Sequence, residues 1–261
     1  MRRRLQNITG KLSPVVLIAV LLIIWQAVVS AGLVPGFMLP SPVQVVKAFV
    51  GDFPALMTNA KTSLVEAFWG MLIGVTLAFL SAYFMDRFNF VRKSLYPILV
   101  ITQTIPTVAI APLLVLWMGY DMAPKIVLVV IVCYFPIAVG LLNGFRSTDE
   151  DVIRLMRSMG STRWQVFRYA KLPNSLSEFF SGLRISVSYS VVGAVIAEWL
   201  GGNSGLGVYM TRVRKAYAFD RMFAVILLVS IISLLLMKLV DLLQRACMPW
   251  LKAAAVQRNE I

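Results

Sequence analysis

The sequence predicts an all-α, polytopic membrane protein with six transmembrane helices and one cytoplasmic helix-turn-helix segment. Three observations carry this. The 261 residues are 59% hydrophobic and 14% charged, with a mean hydropathy of +0.80, too apolar for an ordinary globular domain. Six apolar runs, 14–31, 62–85, 95–118, 124–143, 178–199 and 222–244, approach the roughly 20 residues that a helix needs to cross a hydrocarbon core of about 30 Å. One polar stretch, Arg146 to Ser177, interrupts the apolar pattern between the fourth and fifth runs. Helices satisfy their backbone hydrogen bonds internally, so an open bundle of helices is the sensible state for such runs in lipid.

The first run follows Arg2-Arg3-Arg4 and superficially resembles a signal peptide. It is long for one and has no small-x-small cleavage site before Leu33-Val34-Pro35-Gly36, so it reads as a retained span. Local chemistry marks other boundaries. Ser63-Leu64-Val65-Glu66 and Ser175-Leu176-Ser177-Glu178 have capping-box spacing, which gives Glu66 and Glu178 a role as helix caps beside any role in transport. Pro14 and Pro124 suit first-turn positions.

An even number of spans puts both termini on one side. With the termini in the cytoplasm, seventeen basic residues lie inside and seven outside, with Arg184 within the fifth run, as the positive-inside rule requires. The cluster Arg212 to Arg221 is an exception. The net charge of +13 is otherwise spread in short flanks between apolar runs, which reads as membrane topology and not as a nucleic-acid surface. The absence of histidine excludes His-based metal sites, His general bases and His-Asp triads. Cys133 and Cys247 show no ligand or redox spacing. No metal site and no cofactor are expected.

Polar groups at membrane depth are candidates for function. Thr102, Gln103, Thr104 and Pro106 interrupt the third run, with Pro112 further on. They read either as a pore-lining stretch or as a proline-kinked packing helix. Tyr189, near Ser186, Ser188 and Ser190, is a further candidate for a translocation path. Glu198, near the end of the fifth run, either lies on that path or pairs locally with Arg212 or Arg214. Gly70-x-x-x-Gly74 has helix-packing spacing, used within this chain's own bundle or in a dimer.

The polar stretch reads as two short helices. Thr148, Asp149, Glu150 and Asp151 supply a cap and an acidic first turn. Val152, Ile153, Leu155, Met156 and Met159 fall on one side, with Arg154, Arg157 and Ser158 on the other, and Gly160 ends the helix. A second helix begins at Thr162, with Gln165 at the capping-box position, and stops before Leu172-Pro173. By chemistry alone this unit is either a docking element or an amphipathic helix on anionic headgroups.

These residues carry a resemblance. Arg154-Leu155-Met156-Arg157-Ser158-Met159-Gly160, then nine residues, then Ala170-Lys171-Leu172-Pro173, resembles the EAA loop of binding-protein-dependent ABC transporter permeases, E-A-A-x-x-x-G, nine residues, I-x-L-P. Arg154, Leu155 and Met156 stand where Glu-Ala-Ala would, and Ala170 stands for isoleucine. Leu39-Pro40-Ser41-Pro42, Ile105-Pro106, Ala111-Pro112-Leu113, Phe135-Pro136-Ile137, Ala197-Glu198-Trp199-Leu200 and Gly205-Leu206-Gly207 extend the likeness to the branch with nitrate, sulfonate, taurine and thiamine-precursor permeases. Ser181-Gly182-Leu183-Arg184-Ile185-Ser186 with Ala197 to Gly202 looks most like permeases for the pyrimidine precursor of thiamine.

The resemblance implies a type I ABC importer-like fold in the bacterial plasma (inner) membrane, with a cytoplasmic tail at 1–13, a permease domain at 14–244 containing a coupling segment at 146–177, and a cytoplasmic tail at 245–261. Asp151 to Ser161, including Arg154, Leu155, Met156, Arg157, Ser158, Met159 and Gly160, would form the ATPase-coupling helix, with Pro173 closing the motif. The implied partners are two copies of an ABC ATPase subunit, a second permease copy or paralogue, an extracytoplasmic solute-binding protein and membrane lipid, with no nucleic acid. The chain itself has no Gly-x-x-x-x-Gly-Lys-Ser/Thr loop, so ATP hydrolysis falls to the partner. An ion-gradient-driven transporter would show internal repeats or mid-membrane ion pairs; a membrane enzyme would need a catalytic constellation. Neither pattern is visible in the sequence.

Overall fold

The computed structural model describes the backbone of residues 2–36 and 38–250, and side chains from Pro14 onward within those ranges. The basic residues counted before Pro14 and beyond Trp250, and most of the expected C-terminal tail, lie outside the described side chains. All regular structure among the described residues is helical: α1 Arg2–Ser30, α2 Pro42–Gly51, α3 Phe53–Arg87, α4 Asn89–Thr104, α5 Thr107–Met118, α6 Met122–Arg146, α7 Glu150–Ser158, α8 Arg163–Val166, α9 Leu172–Leu200, α10 Leu206–Lys215 and α11 Phe219–Cys247. Four stretches, Phe53–Arg87, Met122–Arg146, Arg163–Leu200 and Phe219–Cys247, are long and apolar enough to cross a membrane. The apolar part of α1, Pro14–Ser30, is shorter.

The third apolar run is not one continuous helix. It divides into α4 and α5, bent by 100°. Ile105 is extended at φ −83°, ψ 122°, as the residue before a proline is pushed to be, and Pro106 follows at ψ 120°. Pro97 and Pro112 sit inside helices that continue past them. The break therefore comes at the one proline whose predecessor leaves the helical region.

Both capping boxes expected at Ser63 and Ser175 are absent. Ser63 and Glu66 lie within α3, and Ser175 and Glu178 within α9. Ser175 instead donates back to the Leu172 carbonyl at 2.8 Å. The spacing alone cannot distinguish a helix start from a serine and an acid one turn apart in an uninterrupted helix. A capping box does open α2: the Ser41 hydroxyl accepts from the Gln44 amide, the Gln44 side chain accepts from the Ser41 amide, and Pro42 is the first helical residue.

The chain forms two compact units. The first comprises residues up to Asn59 with Tyr209–Leu228; the second comprises Ala60–Val208 with the residues from Val229 on. In the first, Asp52 accepts from the Tyr209 hydroxyl at 2.6 Å and pairs with Arg221 at 3.0 Å. Burial, then the neighbouring Asp52, pushes the Tyr209 phenol up to about 12. Arg221, one of the exceptional basic residues, thus has a carboxylate partner, while Arg212, Arg214 and Lys215 are exposed on α10.

The second unit is built on a seam between α6 and α9. A Cβ at Gly140 would meet the Glu178 carbonyl, at Gly144 the Ser175 backbone, and at Gly182 the Pro136 carbonyl. Backbone approaches backbone there because no side chain intervenes. Ser186 Oγ donates to the Cys133 carbonyl at 2.9 Å, and Cys133 Sγ lies 3.2 Å from the Ser186 carbonyl. Gly70 and Gly74 face Val129, Val130 and Cys133 of α6, so this pair packs within its own chain. Arg184 of α9 is satisfied by Asp241 at 2.8 Å and Gln244 at 3.0 Å, both on α11.

Gly182→Val is expected to destabilise the protein by about 2 kcal/mol, as overpacking does, whereas Gly51→Ala, where an added Cβ meets nothing, should change stability by less than about 0.5 kcal/mol. Thermal unfolding in detergent measures both, and equal melting of the two variants would refute the seam.

Candidate functional site

Three features concentrate polar chemistry in the second unit. The first is the α7–α8 segment. Asp149 caps α7, its Oδ1 accepting from the Asp151 amide at 2.8 Å, one residue later than Thr148. Glu150 and Asp151 occupy the first turn, where the helix dipole favours acids. Arg154 pairs with Glu150 at 2.9 Å and Asp151 at 3.4 Å. These pairs are solvent-exposed and contribute at most about 1 kcal/mol.

The helix ends at Gly160, φ +83°. The Gly160 amide donates to the Arg157 carbonyl and the Ser161 amide to the Met156 carbonyl, both at 3.0 Å, the pattern that closes a helix through a left-handed residue. Thr162 then caps α8 with a complete capping box: its Oγ1 accepts from Gln165 and its amide donates to Gln165 Oε1 at 2.7 Å.

The second helix does not stop before Leu172-Pro173. A π turn, Phe167–Lys171, joins α8 to α9, and Leu172 donates to Phe167. Pro173 has no N–H and its ring clashes with a carbonyl four residues back in a regular helix. Widening the preceding turn lets the helix run through.

The apolar face of α7 is split. Ile153 and Met156 are half-buried, while Val152, Leu155 and Met159 are 44%, 61% and 77% exposed. These three lie at i, i+3 and i+7, a stripe facing away from the protein's own body. Arg157 and Ser158 are exposed as well.

Both stems of the segment are anchored. Asn174 Nδ2 donates to the Gly144 carbonyl at 3.1 Å and approaches the Ser147 and Thr148 hydroxyls at 3.0 and 3.3 Å. Lys171 Nζ binds both oxygens of Asp86, at 2.6 and 2.8 Å. Phe167 is buried among Tyr83, Phe145 and Trp164, with ring centroids 4.8, 5.3 and 5.6 Å away.

The second feature is a groove of about 250 Å³ beside the α4–α5 break. It brings together Thr102, Gln103, Thr107 and Tyr189 as polar groups, over aliphatic residues such as Ile131 and Val192. None of its lining residues is charged. The Thr102 hydroxyl donates to the Leu99 carbonyl at 2.7 Å. The break supplies more than side chains, since the last carbonyls of α4 and the first amides of α5 lack intrahelical partners. Of the candidates read from sequence, Thr102, Gln103 and Tyr189 line the groove. Pro106 sits at the break, Thr104 donates to the Ile101 carbonyl at 2.8 Å, and Glu198 lies elsewhere.

The third feature surrounds Glu198, at the end of the helices opposite α7. Glu198 is 1% exposed. Its Oε1 accepts from Ser63 Oγ at 2.7 Å and its Oε2 from the Gly207 amide at 2.6 Å. The acid is held by neutral donors, not by an arginine. Beside it Glu66 pairs with Lys125 at 2.9 Å, both buried. Ser63 Oγ also accepts from the Leu206 amide at 2.9 Å. Gly205, φ +124°, and Gly207 lie so close that a Cβ on either would strike Glu198.

The cluster thus ties α3, α6 and α9 to the first residues of α10. Sequence reading missed Ser63, Glu66 and Lys125 as its members. The available signal was an acid and a base each embedded in an apolar run. Lys125→Met should destabilise by about 3 kcal/mol because it strands a buried carboxylate. The double variant Lys125→Met/Glu66→Leu should recover most of that loss. Thermal unfolding of both variants in detergent checks this, and a double variant no better than the single one would contradict it.

Comparison with known proteins agrees with this architecture. Residues 70–252 match the family described as binding-protein-dependent transport system inner membrane component. The chain is 38% identical over 230 residues to a probable ABC transporter permease protein of Haemophilus influenzae, covering 88% of this chain and 94% of that one. It is 33% identical over 243 residues to the formylaminopyrimidine transport permease protein ThiX of Halalkalibacterium halodurans, covering 92% and 96%. Its fold is that of a chain in the inward-facing MetNI methionine ABC transporter, with TM-score 0.59 at 21% identity over 75% of this chain and 95% of that one. A bundle of apolar helices with an anchored, exposed α7 closed at Gly160, matched over most of its length, makes this chain a member of the binding-protein-dependent ABC transporter permeases, multi-pass proteins of the inner membrane.

Proposed function

We propose that this chain is the membrane-spanning subunit of an ATP-driven importer. It pairs with a second copy or a paralogue, receives solute from an extracytoplasmic binding protein, and couples to two copies of a separate ABC ATPase. The observation that carries the coupling is α7: an exposed stripe of Val152, Leu155 and Met159 on a helix whose stems are fixed by Asp86–Lys171 and Asn174. Apolar side chains in that arrangement gain most by burial against a partner. Asp151 to Ser161 would seat in the ATPase. The side chains of Ile153 and Met156 would carry its movement into the bundle.

In this reading the termini and α7 are cytoplasmic, as the basic residues favour. The tails are 1–13 and 245–261, and the permease domain is 14–244 with its coupling segment at 146–177. ATP bound by the partner shifts the pore between two states, which it can do only through different affinities for them, and hydrolysis resets the cycle. The role of this chain is conduction and coupling, not catalysis.

The groove at the α4–α5 break is the solute path of this proposal, with Thr102, Gln103 and Tyr189 as contacts, Pro106 holding the break, Thr104 beside it, and Glu198 stabilising the far end. An anion entering a groove without a cation loses its hydration unpaired. A neutral, flat solute with donors and acceptors suits the lining better, which favours the pyrimidine precursor of thiamine over taurine, sulfonate or nitrate. A volume of about 250 Å³ corresponds to roughly eight water molecules, the size of one substituted ring.

Reconstitution of the chain with its ATPase and binding protein tests this, with ATP hydrolysis expected to rise when binding protein and solute are added. Uptake driven by a proton or sodium gradient without ATP would reject it. Gly160→Val forces a β-branched residue into φ +83°, at a cost of about 1–3 kcal/mol, and Leu155→Asp places a charge in the docking stripe. Both should insert normally and lose most solute-stimulated hydrolysis, measured as phosphate release. Normal coupling in both would remove α7 from the contact.

A further inference from the structure

The second unit holds a cleft that the transport reading does not use. It lies between the start of α4 and the end of α6, measures about 350 Å³, and is lined by Arg92, Lys93, Tyr96, Asn143 and Arg146, with Pro97 and Leu142 beneath. Three cations face it and no carboxylate does. Among the described residues none of the three forms an ion pair. Tyr96 and Asn143 add neutral hydrogen-bond donors.

The placement of two of these cations is unfavourable within the chain alone. Arg92 and Lys93 follow the start of α4 at Asn89, and that start has neither an acidic first-turn residue nor a side-chain cap. The positive end of the helix dipole therefore adds to their charge. An anion in the cleft reverses the sign of every one of these interactions.

The surroundings indicate where the anion comes from. Along α4, Phe90 is 82% exposed and Ile98 55% exposed, so the cleft opens beside an apolar surface suited to acyl chains. Basic pockets at the end of membrane helices hold lipid phosphate groups in this way. Arg146 is the last residue of α6, and the adjoining Ser147 and Thr148 are held by Asn174 at the base of α7.

We propose that this cleft binds a phosphate ester, supplied by the headgroup of an anionic phospholipid, with Arg92, Lys93 and Arg146 as its cationic ligands. Occupancy then bears on the stem of α7 through Arg146.

The test uses the full-length chain, purified with the subunits that accompany it and placed in phosphatidylcholine containing a minor fraction of phosphatidylglycerol. Lipid retained after mild detergent washing is measured by mass spectrometry. Phosphatidylglycerol should be enriched over its bulk fraction. The enrichment should fall about fivefold in each of Arg92→Gln, Lys93→Gln and Arg146→Gln, persist in Arg92→Lys, and be unchanged in Arg245→Gln, a basic residue at the end of α11. Equal retention in all variants, or equal loss in Arg245→Gln, overturns the site. A second arm titrates the lipid-stripped protein with inorganic phosphate. Saturable binding that needs the same three cations, without phosphatidylglycerol enrichment, keeps the phosphate site and assigns it to a soluble source. Absence of both overturns the proposal.

Discussion

The contact on which the second unit depends is the close approach of α6 and α9, where glycines bring two backbones together. Gly140 and Gly144 on one helix and Gly182 on the other leave no room for a Cβ. Lipid provides no hydrophobic force between apolar helices, so their association rests on packing and cross-helix hydrogen bonds. Ser186 and Cys133 supply the latter by exchanging backbone contacts. A glycine within a helix costs about 0.5–1 kcal/mol against alanine, and here the seam offsets that cost. The α4–α5 groove, the base of α7 and the Glu198 cluster all take residues from both partners of this seam or from helices packed on it.

The seam also explains why the two ends of the unit hold different chemistry. Near α7 the stem is held by a partly buried pair, Asp86 with Lys171, that keeps the segment placed while leaving its outward stripe open. At the far end the charges are buried: Glu66 pairs with Lys125, and Glu198 accepts from Ser63 and from the Gly207 amide in the first turn of α10. A buried ion pair contributes little net stability, but it is costly to disrupt. One end is thus open to a partner, and the other is locked by its own chain.

Much of the fold was legible because it rests on patterns that depend on sequence alone. Runs of apolar residues gave the helices, Gly160 gave the end of α7, and Thr162 with Gln165 gave the start of α8. Three features were not legible, each for a physical reason. Ser63-x-x-Glu66 has the spacing of a cap but sits inside α3, because nothing in a four-residue pattern reports that the helix began ten residues earlier. Pro106 breaks its helix while Pro97 and Pro112 do not, which depends on the conformation of the preceding residue. The split face of α7 depends on which apolar residues find a neighbour in the folded chain, and helical periodicity places all of them on one side.

The π turn at Phe167–Lys171 has a consequence for how the protein's two ends are geared. Each residue advances a helix by about 100°, so the extra residue accommodated in that turn rotates α8, and α7 behind it, about the axis of α9. The α9 helix keeps its length and its buried face, while the azimuth of the α7–α8 segment is set by one loosened turn. A one-residue insertion or deletion there would re-aim the segment and draw Phe167 and Lys171 off their contacts with Tyr83, Phe145 and Asp86.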